Sequence, residues 1–238
     1  MLRLAMMIWC SLMALTISVR ATEATENWRL SKKQDGIWVY TRPSATCSFN
    51  EFKGIIIIDA GIEVVGMVLK DIPSFPLWMS DCQQSPIIEK NGRNDYIFYF
   101  VQHMPWPVEN RDTVLQARTT IDWNAGYFQV DFHSIQDDRI PPQPDCIRMK
   151  VVGRFLLEYI ERRKTQVTYW IQADPYGSMP AVIANMISRK IPLETLQGMR
   201  KMVMDHRYEQ RAAQSPEKLD LEIALRNNSV KRRKPAIR

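Results

Sequence analysis

The sequence predicts an α+β fold in which a curved antiparallel β-sheet packs around a long amphipathic helix near the C-terminus. Several strand-like segments between residues 85 and 173 suggest the sheet, and two of them alternate apolar and polar residues. Apolar residues then recur at helical spacing from residue 180 to residue 206. The chain has 238 residues, 45% hydrophobic and 24% charged, which is typical of one globular domain.

The first 21 residues are expected to form a signal peptide rather than part of the fold. Arg3 precedes an uncharged apolar stretch at residues 4–19, and residues 19–21 (VRA) place small side chains at positions −3 and −1 of a cleavage site. An uncleaved membrane anchor is the alternative, although the stretch is short for one. We therefore expect an exported protein, which would be periplasmic in a bacterium and otherwise secreted.

Residues 22–212 are expected to form one lipid-binding domain, and residues 213–238 a basic, disordered tail. Much of the net charge of +6 comes from that tail, so the folded part is near neutral. A nucleic-acid-binding domain would carry a basic stripe on its fold. We therefore expect no nucleic-acid partner.

The predicted elements begin with a short helix at residues 26–34, a turn, and a strand at residues 37–40. A β-branched strand at residues 51–58 and a helix at residues 61–69 come next. The remaining strand candidates are residues 85–89, 95–103, 113–121, 127–133, 151–160 and 166–173.

Two of these strands alternate cleanly between apolar and polar residues. Phe128, Val130 and Phe132 share one face of the first, and every second residue from Val167 to Ala173 shares one face of the other. Such alternation is typical of an antiparallel sheet with one buried face.

The segment at residues 96–101 (YIFYFV) is instead apolar on both faces. It is expected to be covered on both sides, or to line a cavity on one. The closing helix at residues 180–206 is expected to bend at Pro192, which removes one backbone donor.

The familiar sequence motifs of hydrolases, nucleotide-binding proteins and metalloproteases do not occur in the chain. It has three histidines, His103, His133 and His206, and no cysteine or carboxylate is obviously placed to bind a metal with them. We therefore expect no metal, no cofactor and no catalytic residue.

Three cysteines remain after the predicted cleavage: Cys47, Cys82 and Cys146. No two have the close spacing of a zinc or redox motif. Isolated, mostly buried thiols are the favoured interpretation, and one disulfide with one free thiol is the alternative in an oxidising compartment.

A proline-rich loop at residues 104–112 (MPWPVENRD) connects two predicted strands. The two prolines that flank Trp106 indicate a rigid, extended loop. Arg111 and Asp112 begin the second strand. We expect Trp106, Arg111 and Asp112 either to tie the loop to the end of the sheet or to contact the headgroup of a ligand.

The segment PWPVENRD at residues 105–112 resembles the strand-connecting motif of START-type lipid-transfer domains. Other features resemble that family in the same order, over residues 26–207: Trp28, residues 35–40 (DGIWVY), residues 52–54 (FKG), Asp71, Trp78 and the proline-broken helix at residues 180–206. The resemblance implies the helix-grip fold, with a tunnel between sheet and helix that holds one lipid or sterol.

Some sterol-binding members of that family bury an acid–base pair in the tunnel. The resemblance places the two positions near Phe98 and Ala117, neither of which is charged. A shift of one residue would instead turn Arg118 inward. The ligand is therefore expected to be a sterol, a more wholly apolar molecule, or a lipid whose headgroup stays at the mouth.

The sequence thus predicts a monomeric, non-enzymatic lipid carrier or sensor outside the cytoplasm, in transient contact with a membrane surface. The alternatives are a cyclase- or hydrolase-like enzyme of the helix-grip superfamily acting on a hydrophobic substrate, and a partner-binding module that uses the basic tail. The expected ligand-binding residues are Trp78, Phe98, Phe100, Leu115, Phe128, Val130, Phe132, Ile183 and Met186.

Overall fold

The computed structural model describes residues 27–47 and 49–237, so the predicted signal peptide lies outside the described residues. Within them the dominant element is an antiparallel sheet. Its strands are β1 Arg29–Gln34, β2 Ile37–Pro43, β3 Asn50–Ile58, β4 Cys82–Gln84, β5 Ile87–Asn91, β6 Asp95–Gln102, β7 Asn110–Asp122, β8 Tyr127–Ile135, β9 Cys146–Arg148, β10 Lys150–Glu161 and β11 Lys164–Asp174.

The strand order across the sheet is β1-β2-β3-β11-β10-β8-β7-β6-β4. Strand β5 also pairs with β6, and the short β9 runs parallel to β7. The helices are α1 Ile62–Lys70, α2 Ala181–Met202, α3 His206–Ala213 and α4 Pro216–Arg226, and a 3₁₀ helix covers Ile72–Leu77. The predicted α+β class, an antiparallel sheet with a long C-terminal helix, is confirmed.

The inner face of the sheet is the one predicted from alternation. In β8, Phe128, Val130 and Phe132 are buried while the residues between them are more exposed. Strand β6 is covered on both faces, as its apolar pattern predicts. Tyr99 and Val101 of β6 belong to a second, outer apolar cluster together with Val114 of β7.

Helix α2 crosses the inner face of the sheet closest to β3. A Cβ atom at Gly54 would lie 2.7 Å from Cδ1 of Leu196 and 3.2 Å from Cβ of Pro192, so glycine is needed for this close approach. The helix continues through Pro192 and ends at Met202, whereas the sequence pattern predicts one helix as far as His206. A new helix begins there because the Asp205 side chain caps the amide of Arg207.

The helix predicted at residues 26–34 is wrong, because residues 29–34 form strand β1 and pair with β2. The tight turn between them contains Asp35 and Gly36, both with positive φ. Lys33 lies over the ring of its strand partner Trp38 at 3.8 Å. Cross-strand pairing therefore overrides the local polar pattern.

The predicted disordered tail is also wrong for the described residues, since α4 packs on the domain. The Lys218 ammonium lies 2.6 Å from the buried Glu63 carboxylate in α1, and Glu217 pairs with Lys70. Leu221 is 2% exposed. Two charged residues of the tail, Glu217 and Lys218, therefore have partners on α1.

The segment after α4 continues along the same end of the molecule. The backbone amide of Arg233 donates to the Tyr159 carbonyl at 2.9 Å, and that of Ala236 donates to Oε1 of Gln166 at 2.6 Å. Ile237 is buried. The C-terminal residues thus brace α1 and the β10–β11 hairpin.

Leu221→Ala is expected to reduce the free energy of unfolding by about 2–4 kcal/mol, because it leaves a cavity under α4. The matched control is Leu219→Ala on the same helix. Leu219 is 63% exposed, so its replacement is expected to change stability by less than about 0.5 kcal/mol. Urea denaturation of both variants measures the change in the free energy of unfolding. Equal, small changes for the two variants would mean that α4 does not pack on the domain.

Candidate functional site

A cavity of about 380 Å³ lies between the inner face of the sheet and α2. Five residues predicted to bind the ligand line it. They are Phe98 and Phe100 from β6, Leu115 from β7, and Val130 and Phe132 from β8. Alternation in β8 placed Val130 and Phe132 on the cavity face, whereas β6 is apolar on both faces, so its sequence did not show which face borders the cavity.

Several lining residues were not singled out from the sequence. Helix α2 contributes Ala184, Ile187 and Ile191, which lie one helical turn apart on one face. Across the cavity Phe155 of β10 stacks on Tyr169 of β11, with ring centroids 4.2 Å apart and planes 3° from parallel. Alternation in β11 gave the right face for Tyr169, but no sequence signal showed that it borders empty space.

Two predicted residues, Ile183 and Met186, do not line the cavity. Met186 is 45% exposed, because it is rotated by about 100° from Ile187 around the helix axis. Ile183 is likewise rotated by about 100° from its neighbour Ala184, which does line the cavity. The apolar repeat of α2 is wider than the face that meets the cavity, so the pattern did not fix which apolar residues border it.

Phe128 and Trp78 are buried but also lie outside the lining. Phe128 packs on α1, where a Cβ at Gly66 would be 2.7 Å from its ring, so the cavity ends at Val130. Trp78 packs edge to face on Phe75 at 5.3 Å. These two aromatic residues therefore belong to the solid core around the cavity.

Arg111 ties two loops together at one end of the cavity. Its guanidinium donates to the carbonyls of Pro175 at 3.1 Å and Tyr176 at 3.0 Å, and also to that of Glu109. Arg111 is fully buried, and burial lowers its pKa. Pro175 lines the cavity. Of the two roles expected for Arg111, the structure supports the tie.

Asp112 forms a second tie, on the opposite face of β7. Its carboxylate oxygens each lie 2.9 Å from the Arg148 guanidinium of β9, and the Tyr99 hydroxyl donates to it at 3.0 Å. Trp106 is 91% exposed and so does not tie the loop to the sheet, while its contact with a ligand headgroup stays a prediction.

We call the end of the cavity formed by Phe49, Met104, Pro175 and Met179 the loop end, since these residues belong to connecting segments or their margins. The opposite end is bordered by Lys70, Tyr96 and Thr119 and is called the inner end. Strand registers place these two sets at opposite ends of β6 and β7.

The positions expected to hold an acid–base pair in sterol binders are occupied by Phe98 and Ala117, and both line the cavity. Arg118 points outward and pairs with Asp95 at 2.9 Å. The strand register matches Tyr96 with Ala117, so the alternative register that turned Arg118 inward does not occur. No charged pair faces the cavity at these positions.

Lys70 is the one charged residue among the described residues that line the cavity. Its ammonium group pairs with the Glu217 carboxylate and donates to Oδ1 of Asn94 at 3.0 Å. Glu217 and Lys70 side chains are both largely buried. The lysine therefore contributes its aliphatic stem to the wall, while its charge is neutralised outside the cavity.

His103 and Cys82 were the nearest candidates for chemistry, and neither is placed for it. His103 is exposed and lies beside Asn110, with 3.1 Å between its Nδ1 and the amide oxygen. Burial raises the pKa of the Cys82 thiol to about 12, so it stays protonated. In the described part of the chain, Cys47, Cys82 and Cys146 are free thiols, and no group of three potential metal ligands occurs.

None of the helices within residues 27–47 and 49–237 is long and apolar enough to cross a membrane.

A family model described as the START domain matches residues 13–209. An uncharacterised protein of Pseudomonas aeruginosa is 27% identical over 190 residues, which is 79% of this chain and 93% of that protein. The human START domain-containing protein 10 is 24% identical over 77% of this chain, which spans 64% of the human protein. The crystal structure of a STAR-related lipid transfer protein from Xanthomonas axonopodis superposes with a TM-score of 0.67 at 28% identity, covering 75% of this chain and 99% of that one.

Proposed function

This chain belongs to the START domain family, and from that premise we propose that it holds one lipid in the cavity as a carrier or sensor rather than as an enzyme. The observation that carries the proposal is the mainly apolar cavity between the sheet and α2. Its volume of about 380 Å³ falls in the range of about 300–1,000 Å³ that is typical of small-molecule sites. The name of the Xanthomonas protein, a lipid transfer protein, supports a lipid as the ligand class.

Burial of apolar surface would supply most of the affinity, at about 25 cal/mol per Å². Aromatic and aliphatic side chains cover the walls from both the sheet and the helix, as Phe98, Phe155 and Ile187 illustrate. Binding of a lipid chain against these walls removes few polar groups from water, so little of the gain from apolar burial is lost. The ligand is thus a lipid, with a sterol as one candidate.

A non-enzymatic role is favoured over the cyclase- or hydrolase-like alternative by where the reactive groups lie. A histidine facing the cavity would favour an enzyme, but His103 faces solvent beside Asn110. The Cys82 thiol is too basic to act as a nucleophile at neutral pH. Among the described residues that line the cavity, no base is paired with a nucleophile.

We further propose that the loop end meets a membrane surface transiently while the lipid is exchanged. Exposed apolar side chains lie on the segments that form this end: Trp106, Tyr176, Val182 and Met186. Such side chains favour the interface between water and lipid.

Action outside the cytoplasm as a monomer is also proposed, and the apolar segment at residues 4–19 supports export. The intact mass of the exported protein should correspond to a chain that begins near Thr22. A soluble protein that retains Met1 would contradict cleavage of the signal peptide.

The test is lipid capture from vesicles. The purified protein is incubated with vesicles of bacterial polar lipid, separated from them by gel filtration, and extracted for mass spectrometry. We expect up to one lipid molecule per chain, recovered only after contact with vesicles or cells. Recovery of lipid-free protein at every vesicle concentration would reject the proposal.

A further inference from the structure

We infer that the cavity selects an uncharged lipid that carries a hydroxyl group, which the side chains of Tyr169 and Gln102 recognise. This inference rests on the proposed function and names the class of its ligand. Most of the wall is apolar, so the few polar groups that face the cavity determine which headgroup can enter.

Among the described residues, the two cationic groups beside this cavity are both engaged by protein groups, so neither is free to pair with a ligand. The Lys70 ammonium is engaged by Glu217 and Asn94, and the Arg111 guanidinium is engaged by three backbone carbonyls. A carboxylate or phosphate drawn into the cavity would therefore lose its water without gaining a free cation. Buried, unpaired charge is strongly unfavourable, so the buried part of the ligand is neutral.

Tyr169 presents a hydroxyl group that is not used by the protein. The residue is buried and lines the cavity, and none of the described residues forms a hydrogen bond with its hydroxyl. Its ring is fixed by stacking on Phe155. Burial raises the pKa of the phenol, so it remains a hydrogen-bond donor.

Gln102 presents the complementary acceptor. It is 8% exposed, and its Nε2 donates to the Ser80 carbonyl at 3.1 Å, while no described residue donates to its Oε1. Tyr169 of β11 and Gln102 of β6 both line this cavity.

The buried Thr113 adds a third polar group beside Gln102. It follows Arg111, the strand partner of Gln102, by two residues on the cavity face of β7. Its hydroxyl makes only a long contact of 3.5 Å with the Val114 carbonyl, which leaves it free for a better partner. One donor, one acceptor and one hydroxyl together match a ligand hydroxyl, which both donates and accepts.

The experiment uses the fluorescent probe N-phenyl-1-naphthylamine, displaced from the protein at pH 7.5 by 1-decanol or by decanoate. We expect decanol to act at a concentration at least about tenfold lower than decanoate. Tyr169→Phe and Gln102→Leu should each raise the decanol concentration required by about fivefold and leave decanoate unchanged. If Gln102→Leu fails to fold, Tyr169→Phe still decides, because it removes one oxygen and keeps the stacked ring.

The matched control is Tyr99→Phe. Tyr99 belongs to the outer cluster of β6, where its hydroxyl donates to Asp112 at 3.0 Å, so decanol should displace the probe from this variant as from the parent. Decanol displacement unchanged by both Tyr169→Phe and Gln102→Leu overturns the inference. So does a preference for decanoate that Lys70→Met abolishes. In either case saturable probe uptake would still support lipid binding, whereas a protein that takes up neither probe nor alcohol contradicts the proposed function itself.

Discussion

Replacing Val130 by Trp is expected to abolish lipid uptake while leaving the ligand-free protein folded. Val130 lines the cavity from β8, between its strand partners Thr119 and Phe155. In a solid core the added volume would cost about 1–3 kcal/mol, but here the indole can occupy the space of the ligand. We expect apparent lipid affinity to fall by at least about 100-fold, which removes about 2.7 kcal/mol of ligand-induced stabilisation.

Thermal unfolding with and without lipid vesicles measures both parts of this expectation. The control is Gln129→Trp, which puts the same side chain at the next residue of β8, on the other face of the sheet. It should keep the full lipid-induced shift. A Val130→Trp protein that unfolds outright, or that is stabilised by lipid like the parent, would contradict a ligand cavity at Val130.

Arg111→Met is expected to be the most destabilising single change, at about 3–5 kcal/mol. It leaves the carbonyls of Glu109, Pro175 and Tyr176 without their donor at a site where the arginine is fully buried. Arg111→Lys should recover little of this loss, because one ammonium cannot reproduce a planar fork of donors aimed at three carbonyls.

Urea denaturation compares this variant with Arg118→Met in the same strand. Arg118 is mostly exposed and pairs with Asp95 at the surface, so its replacement should cost about 1 kcal/mol or less. Comparable costs for the two variants would mean that Arg111 does not hold the loop end together. A large loss of lipid binding by Arg118→Met would be equally unexpected.

The sheet could be predicted because its signal is local and simple. Phe128, Val130 and Phe132 alternate with polar residues, and this two-residue period fixes which face is buried. The apolar run in β6 indicated a strand that is covered on both faces or lines a cavity on one, and its inner face lines the cavity. The absence of a charged pair at Phe98 and Ala117 followed once the resemblance had set the register, and the observed pairing agrees with it.

The boundary between core and cavity could not be predicted in the same way. Phe128 and Val130 have the same pattern in the sequence, but only Val130 borders the cavity, because α1 comes close to Phe128 at Gly66. That approach depends on the path of a distant helix. The same limit explains Trp78, whose buried ring packs on Phe75 rather than on the ligand space.

The N-terminal strand and the C-terminal brace were missed for a related reason. Residues 29–34 are mostly polar and exposed, and they become a strand only by pairing with β2. The charged residues of α4 look solvated in the sequence, but Lys218 and Glu217 find opposite charges on α1. The contacts of α4 join segments more than 100 residues apart, and such contacts leave no periodic signal.

The most direct test of the central claim is native mass spectrometry of the protein as purified from its own cells, followed by lipid extraction. We expect a complex of one lipid with one chain, and a lipid-free chain for Val130→Trp prepared in parallel. A parent protein without lipid, or a lipid retained equally by Val130→Trp, would contradict the claim that the cavity between the sheet and α2 is the site of binding.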